Sequence, residues 1–335
     1  MVAKIETIQD KTRSKSDLFG VPKLDTLGTT GENAYNQQDT KRLFLQKKAR
    51  RKGITVALAS QLCKVQDSVL NEGYKNTLFC SSVILQQGKT LESGHCKNRW
   101  CLVCNSIRIA KLIFGYRDVL ETMANPKFIT LTIQSVQAKD LRKTIDKMQK
   151  VFRGIQHDVL RKKYNIRLDG IRKIECNFKE HKQTFNPHLH LIVDCTPCEA
   201  PLIKSIWLSS FNLETASPEA QDIKNIDKTK DQPVLELFKY FTKMINKGKK
   251  FNAMSNDVIF TAIRGKRIVQ PFGNVRKVSE EIEELEKQDA DFLESRTEIW
   301  KYQKEVFDWV SSDGELLSEF QPSKEFLKLI DKINA

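Results

Sequence analysis

Two histidines alternate with apolar residues in the stretch FNPHLHLIVDC, which spans residues 185–195. Because successive side chains of an extended chain point to opposite faces, His188 and His190 share one face of such a strand and the aliphatic residues share the other. Neutral imidazole is a good ligand for divalent ions, and two imidazoles at this spacing lie close enough to chelate one. The alternation therefore predicts a metal-binding pair; the alternative is a coincidental pair of structural histidines.

A third ligand is expected on the neighbouring strand. The stretch GIRKIECNF at 170–178 alternates in the same way, and the turn KEHKQT would join it to the histidine strand as an antiparallel pair. Glu175 would then lie on the polar side near His190, or it could be a surface carboxylate paired with Lys173, because sequence leaves the register open. His181, in the turn itself, is a weaker alternative. A mixed imidazole and carboxylate set suits Mg²⁺ or Mn²⁺ acting on phosphate oxygens.

A candidate nucleophile lies in DQPVLELFKYFTKMINK, for which the Asp and Pro at its start predict a helix over 232–247. Glu236, Tyr240 and Lys243 would project from one side of this helix. A phenol can attack a phosphodiester when a metal polarises the phosphate, and a nearby cation favours the phenolate. A carboxylate one turn away can later act as a general base on water. Alone, the three residues are typical of a solvated helix face, and the histidine pair favours the catalytic interpretation.

Four cysteines in CSSVILQQGKTLESGHCKNRWCLVC have the spacing of a structural metal site. Cys101 and Cys104 form a C-x-x-C pair, Cys96 precedes them by five residues, and Cys80 lies further upstream. Four thiolates in such a span can form a closed tetrahedral zinc site, which would hold together a small basic module. The alternatives are a few free thiols, or a site in which His95 replaces Cys80 or Cys96.

The charge distribution indicates a polyanionic partner. The formal charge is +14 and the pI about 9.3, although residues 279–335 carry 16 acidic and only 7 basic side chains. Nucleic acid is the default partner of such a basic body, and the alternative is a basic surface used only for solubility. The basic run QKKARRKG at 46–53 could contact phosphates or form a solvated helix end. A nucleotide-driven motor is not expected, because GKT at 88–90 lacks the upstream glycine of a phosphate-binding loop.

Stretches with strand and helix periodicity follow in the order strand, helix, strand, strand, helix. Residues 127–134, 170–178 and 185–195 alternate with a period of two, whereas apolar residues recur at helical spacing over 141–159. The sequence therefore predicts an α+β fold, in which an antiparallel sheet has helices on one face and a polar working face on the other. Residues 257–273 are predicted to form strand and turn.

Four regions are expected along the chain: a mobile polar and basic arm at 1–53, a helical and Cys-rich zinc module at 54–110, a catalytic domain at 111–277 and an acidic helical tail at 278–335. The N-terminal residues lack the apolar segment of a signal peptide, and no apolar run approaches the length of a membrane span. We therefore expect a cytoplasmic protein without membrane contact.

Together these stretches resemble the HUH endonucleases, named for two histidines that flank a hydrophobic residue. More closely, they resemble the rolling-circle replication initiators of small bacterial plasmids, the Rep family with one catalytic tyrosine. FITLT, FNPHLHLIV and ELFKYFTK resemble the family's three motifs, with Asn186 where a further histidine is common. HCKNRWCLVCNSIR resembles its cysteine-rich element, with Leu102 in the usual proline position, and RGKRIVQPFG resembles a family turn. The resemblance covers roughly residues 75–275.

The resemblance implies a ferredoxin-like HUH domain and a tyrosine endonuclease. Tyr240 would attack a phosphodiester in single-stranded origin DNA, retain the 5′ phosphate and release a 3′ hydroxyl for a polymerase. His188 and His190 would hold the metal ion, and Glu236 would activate water for the terminating cleavage. The implied partners are single-stranded and duplex origin DNA, a host helicase and a host polymerase.

Two other functions remain compatible with these residues. A relaxase or a single-tyrosine transposase shares the same chemistry, although the glutamate four residues before Tyr240 favours replication. A non-catalytic, zinc-dependent DNA-binding regulator would need the cysteines and the basic arm but not the tyrosine. An RNA-binding module has little support, since no stacked aromatic signature is apparent.

Overall fold

Two antiparallel sheets organise the residues that the computed structural model describes, which are 34–88, 90–212, 214–227, 251–279 and 297–335. The larger sheet has five strands and the smaller has four, and helices surround both of them. The predicted α+β class is therefore confirmed. In the part of the chain covered by these ranges, no helix combines the length and the apolar composition needed to cross a membrane.

The helices and strands have the following bounds. The helices are α1 (Ala34–Leu62), α2 (Asn71–Leu78), α3 (Leu102–Thr122), α4 (Ala138–Gly154), α5 (Glu199–Ser209), α6 (Ala253–Ile263) and α7 (Lys324–Asn334). The strands are β1 (Val83–Gln87), β2 (Thr90–Glu92), β3 (Pro126–Thr132), β4 (Asp169–Lys179), β5 (Thr184–Asp194), β6 (Asp222–Asn225), β7 (Val269–Phe272), β8 (Glu298–Gln303) and β9 (Asp308–Val310). Helix α4 continues through a π-helical turn at Ile155–Arg161.

The larger sheet has the strand order β6–β3–β5–β4–β7, with β5 at its centre. Strands β4 and β5 form the predicted hairpin, which turns at Glu180–Lys182 and pairs Glu175 with His188. Gln183 completes the turn in the left-handed conformation, with φ of 49°. The two long strands pair over their full length, so the register of the polar residues is set by eleven consecutive residue pairs.

One face of the larger sheet forms the main core. Helices α4, α5 and α6 cover this face, and their apolar side chains contact the alternate residues of the three central strands. Those strand residues are at most 1% exposed, and they are Ile129, Leu131, Ile174, Leu189, Leu191 and Val193. The predicted alternation is therefore correct: burying this set on one side leaves the histidines and Glu175 on the other.

Helix α3 packs on the opposite face, so the prediction of helices on one face only is wrong. Its residues Leu112 and Tyr116 form a second apolar cluster with Phe128, Ile171 and Ile192. These three strand residues share the face of the histidines but lie nearer one end of the sheet. The face that carries the histidines is therefore polar at one end of these strands and apolar at the other, and α3 covers the apolar end.

The predicted boundary at residues 53 and 54 falls inside α1. Leu45, Ala49 and Lys52 are buried in this helix, so residues 34–53 are not a polar arm. Residues 1–33 lie outside the described part of the chain. The basic run at 46–53 is partly turned inward, because α1 packs against α2, α3 and α7.

The tail is not wholly helical. Strand β8 pairs with β1, and β9 pairs with β8, giving the order β2–β1–β8–β9 in the smaller sheet. Trp300 and Trp309 are buried beside Ile84 and Ala49, which explains why EIWKYQ forms a strand: alternate aromatic residues face this small core. Residues 257–263 were also predicted wrongly, because they belong to α6, whereas the predicted strand at 269–272 is β7.

Asp308 fixes the path of the tail after β9. Its side chain is fully buried, and its carboxylate oxygens accept hydrogen bonds from the backbone N–H groups of Trp309 (2.7 Å), Ser318 (3.2 Å) and Phe320 (3.2 Å). In Asp308→Asn one oxygen becomes an NH₂ donor that faces backbone donors. We expect the free energy of unfolding to fall by about 2 kcal/mol, measured by denaturant titration.

Asp313→Asn is the matched control, because Asp313 is exposed in the turn that follows β9. This variant should unfold with the wild-type midpoint. Equal midpoints for both variants would show that the buried carboxylate does not stabilise the tail.

Candidate metal centres

Glu175, His188 and His190 form a compact group on the polar face of β4 and β5. His188 Nε2 lies 3.6 Å from Glu175 Oε1, and His190 Nε2 lies 3.3 Å from Glu175 Oε2. One ligand atom from each residue lies within 4.8 Å of the others, as binding of a single ion requires. The group could therefore hold a metal ion, and the three predicted residues do come together.

The Nδ1 atom of each histidine already has a hydrogen-bond partner. His188 Nδ1 lies 3.1 Å from the Asn186 carbonyl oxygen, which can only accept, so Nδ1–H donates and Nε2 keeps its lone pair. His190 Nδ1 lies 3.1 Å from the Thr130 hydroxyl. His190 Nε2 is buried and makes no hydrogen bond to the described residues. Such bonds orient metal-binding imidazoles from behind, and a cation between the Nε2 atoms and the carboxylate would satisfy the buried nitrogen.

The protonation states suit metal binding at neutral pH. Burial would raise the pKa of Glu175, but the Lys173 ammonium and the two imidazoles outweigh it and hold that pKa well below its usual range. Burial lowers the pKa of His190, and the contact with Glu175 only partly opposes this. The carboxylate is therefore ionised and the His190 ring neutral near neutrality, which are the forms that bind metals.

Glu175 contacts both His190 and Lys173, the two neighbours between which the sequence left the choice open. It is 1% exposed, so it is not a surface carboxylate, and its Oε2 also accepts a hydrogen bond from Lys173 Nζ at 3.3 Å. Its direct cross-strand neighbour is His188, and Lys173 lies opposite His190. His181 is exposed in the turn and lies outside the group.

Cys80, Cys96, Cys101 and Cys104 form a second compact group. Their sulfur atoms lie 3.5 Å apart for Cys80 and Cys104, 3.5 Å for Cys80 and Cys101, and 3.7 Å for Cys96 and Cys104. A tetrahedron with Zn–S bonds of about 2.3 Å has edges of about 3.8 Å, close to these separations. The cysteines could hold a metal ion, its identity as zinc stays a prediction, and His95 is not part of the group.

Local structure explains how the thiols converge. Cys101 caps the N-terminus of α3, and its sulfur accepts a hydrogen bond from the Cys104 backbone N–H at 3.5 Å. The Cys80 sulfur accepts one from the Cys96 backbone N–H at 3.5 Å. These N–H groups stabilise negative charge on sulfur, as the positive end of a helix does.

Two lysines of α1 lie beside the thiols, and sequence analysis missed them. Lys52 donates to the backbone oxygens of Leu78 and Cys80, both at 2.7 Å, and Lys48 donates to Ser93 at 2.9 Å. Burial lowers the pKa of each lysine to about 8, and nearby thiolates oppose the shift. Four thiolates around a divalent ion carry a net charge of −2, which two ammonium groups offset. The i, i+4 spacing in the run KKARRK was the available signal.

The predicted nucleophile motif lies outside the described residues. Glu236, Tyr240 and Lys243 fall between Asp227, which follows edge strand β6, and Phe251, which precedes α6. Their catalytic roles therefore stay predictions.

Removing one cysteine tests the thiol cluster. We expect the purified protein to contain about one equivalent of zinc and Cys104→Ser to lose most of it, because three thiolates cannot close the tetrahedron. Elemental analysis of the protein measures this. Cys63→Ser is the control, since Cys63 lies outside the group, and wild-type protein without bound metal would contradict the assignment.

Removing one imidazole tests the other group. His190→Ala should weaken Mn²⁺ binding by at least about tenfold, because it removes one of three ligands. A titration with Mn²⁺, in which electron paramagnetic resonance monitors the free ion, measures the affinity. His181→Ala changes an exposed histidine in the same hairpin and should bind as the wild type does. Equal affinity in His190→Ala would place the ion elsewhere.

Comparison with known proteins connects these centres to one family. Residues 87–200 match the family described as "Replication protein". This segment contains three of the four cysteines and all of the Glu–His–His group. "Protein rep" of Staphylococcus aureus is 24% identical over 51% of this chain and 81% of its own length. "Protein rep" of Streptococcus pneumoniae serotype 2 (strain D39) is 24% identical over 47% of this chain and 51% of its own length. No solved structure gives a significant match. As its motifs indicated, residues 87–200 of the chain match the replication protein (Rep) family.

Proposed function

We propose that the chain initiates plasmid replication by nicking single-stranded origin DNA, as a metal-dependent endonuclease of the HUH type with a ferredoxin-like sheet. The Glu175–His188–His190 group carries this proposal, because it lies within the residues that match the replication protein family. A replication protein needs a free 3′ end for a polymerase, and cleavage of one strand provides it. The antiparallel sheet, with the group on its central strands, supports the same assignment.

Mg²⁺ or Mn²⁺ is the cofactor that fits the donor set. One carboxylate and two imidazoles are a mixed set of hard and intermediate ligands, and three protein ligands leave positions for phosphate oxygens. Such an ion, when bound, would polarise the scissile phosphate and stabilise its developing charge. The buried His190 Nε2, which makes no hydrogen bond to the described residues, supports a cation at this point.

The proposed nucleophile is Tyr240. Its phenolate oxygen would form a bond to phosphorus while the bond from phosphorus to the 3′ oxygen breaks, so the leaving oxygen takes a proton and becomes a 3′ hydroxyl. Lys243 would favour the phenolate. Glu236 would act as the general base on the water that releases the 5′ phosphate from the tyrosine at termination. One tyrosine is sufficient because the last step is hydrolysis.

The proposed partners follow from charge and chemistry. With a formal charge of +14, the chain favours single-stranded and duplex origin DNA. A host helicase and a host polymerase would act on the opened strand and the new 3′ end, and a cytoplasmic location agrees with these partners. A structural zinc ion in the cysteine cluster would hold α3 and the segment before it in place.

A zinc-dependent DNA-binding regulator is the second candidate, and the four-cysteine cluster is the observation that favours it. This function needs neither the Glu–His–His group nor Tyr240. A relaxase or a single-tyrosine transposase would use the same nucleophile, so those alternatives differ only in the DNA that is cleaved.

A covalent adduct distinguishes these functions. Incubation of the protein and Mn²⁺ with labelled single-stranded segments of the encoding replicon should give a DNA–protein adduct on a denaturing gel. Tyr240→Phe and EDTA should each abolish the adduct, because one removes the nucleophile and the other the metal. Tyr164→Phe, at a tyrosine that is 53% exposed, should leave it unchanged. DNA binding without an adduct, on segments that cover the whole origin, would support the regulator.

A further inference from the structure

Lys173 is a buried cation in direct contact with the candidate metal centre. Its side chain is fully buried, and its Nζ lies 3.3 Å from Glu175 Oε2. Ion pairs are rarely fully buried in proteins, because removing two charges from water carries a large desolvation penalty. The ammonium helps to keep Glu175 ionised, and its charge also acts on any ion that the three ligands hold.

The sheet fixes Lys173 beside the group from both sides. On β4 it pairs with His190 of β5 and with Val269 of β7. It precedes Glu175 by two residues on the same face, and Ile171, two residues earlier, lies under α3. The ammonium is therefore held between the apolar end of this face and the metal ligands, where water does not screen its charge.

The formal charge of the centre changes with this lysine. One carboxylate and two imidazoles in the neutral form that binds a metal ion carry −1, and the Lys173 ammonium brings the group to zero. A divalent ion then gives a loaded centre of +2 rather than +1. We infer that Lys173 weakens the hold of this centre on divalent cations and strengthens the attraction of the loaded centre for a phosphodiester. The inference rests on the proposed function, because it takes DNA phosphate as the anion.

A purely structural role for Lys173 predicts a different pattern. If the ammonium only positions the Glu175 carboxylate and keeps it ionised, its removal misplaces or neutralises a ligand and weakens both metal and DNA binding. If the ammonium sets the charge of the centre, its removal strengthens metal binding and weakens DNA binding. The opposite signs separate the two roles.

Lys173→Met tests the inference in the full-length protein, since methionine keeps the length and apolar character of the stem. Mn²⁺ affinity without DNA should rise about tenfold, a moderate value for one unscreened charge at close range. Saturating Mn²⁺ should increase the affinity of the wild-type protein for a short single-stranded oligonucleotide of mixed sequence. In Lys173→Met this increase should be about tenfold smaller. Lys182→Met, at an exposed lysine of the same hairpin, should change neither value.

Lys173→Gln is the second variant, because it removes the charge but keeps a hydrogen-bond donor for Glu175. The same pair of shifts in either folded variant supports the inference. Weaker Mn²⁺ binding, or unchanged binding, in a variant with the wild-type circular dichroism spectrum would overturn it. Loss of the fold in both variants would show that Lys173 is a structural counter-ion only. These are binding measurements, so absence of a covalent adduct would overturn the proposed function and not this inference.

Discussion

The pairing register of β4 and β5 is the constraint on which the candidate metal centre depends. It places Glu175 opposite His188 and Lys173 opposite His190, so that one carboxylate reaches both imidazoles and the ammonium. A shift of one residue would turn the polar set toward the main core, where aliphatic side chains belong. Burial of those aliphatic residues under α4, α5 and α6 therefore stabilises the geometry of the opposite face as well.

Helix α3 gives this face its second property, which is a low exposure to water. By covering Phe128, Ile171 and Ile192, it closes the sheet next to the histidines. Charges in such a place interact strongly, which is why Glu175 stays ionised although burial alone would favour its neutral form. Cys101 caps the N-terminus of the same helix, so a single element connects the cysteine cluster to the apolar end of the polar face.

The cysteine cluster depends on parts of the chain that are far apart in sequence. Lys52 of α1 binds the backbone oxygen of Cys80, and the Trp309 indole N–H donates to the backbone oxygen of Ser81 at 2.7 Å. Strand β8 then pairs with β1 directly after this point. The tail is consequently part of the structure that holds the cysteines, and its acidic composition gave no indication of that role.

Local patterns in the sequence were sufficient for the faces of β3, β4 and β5, the hairpin, the ligand candidates and the cysteine set, because each depends on a short period or spacing. The pairing of β8 with β1, the inward turn of Lys48 and Lys52, and the position of α3 could not be predicted in this way. Each of them joins residues that are distant along the chain, and burial against a partner decides their conformation. Lys173 illustrates both cases. The alternation of β4 predicted the face of the sheet on which it lies, but only tertiary packing decided its complete burial beside Glu175.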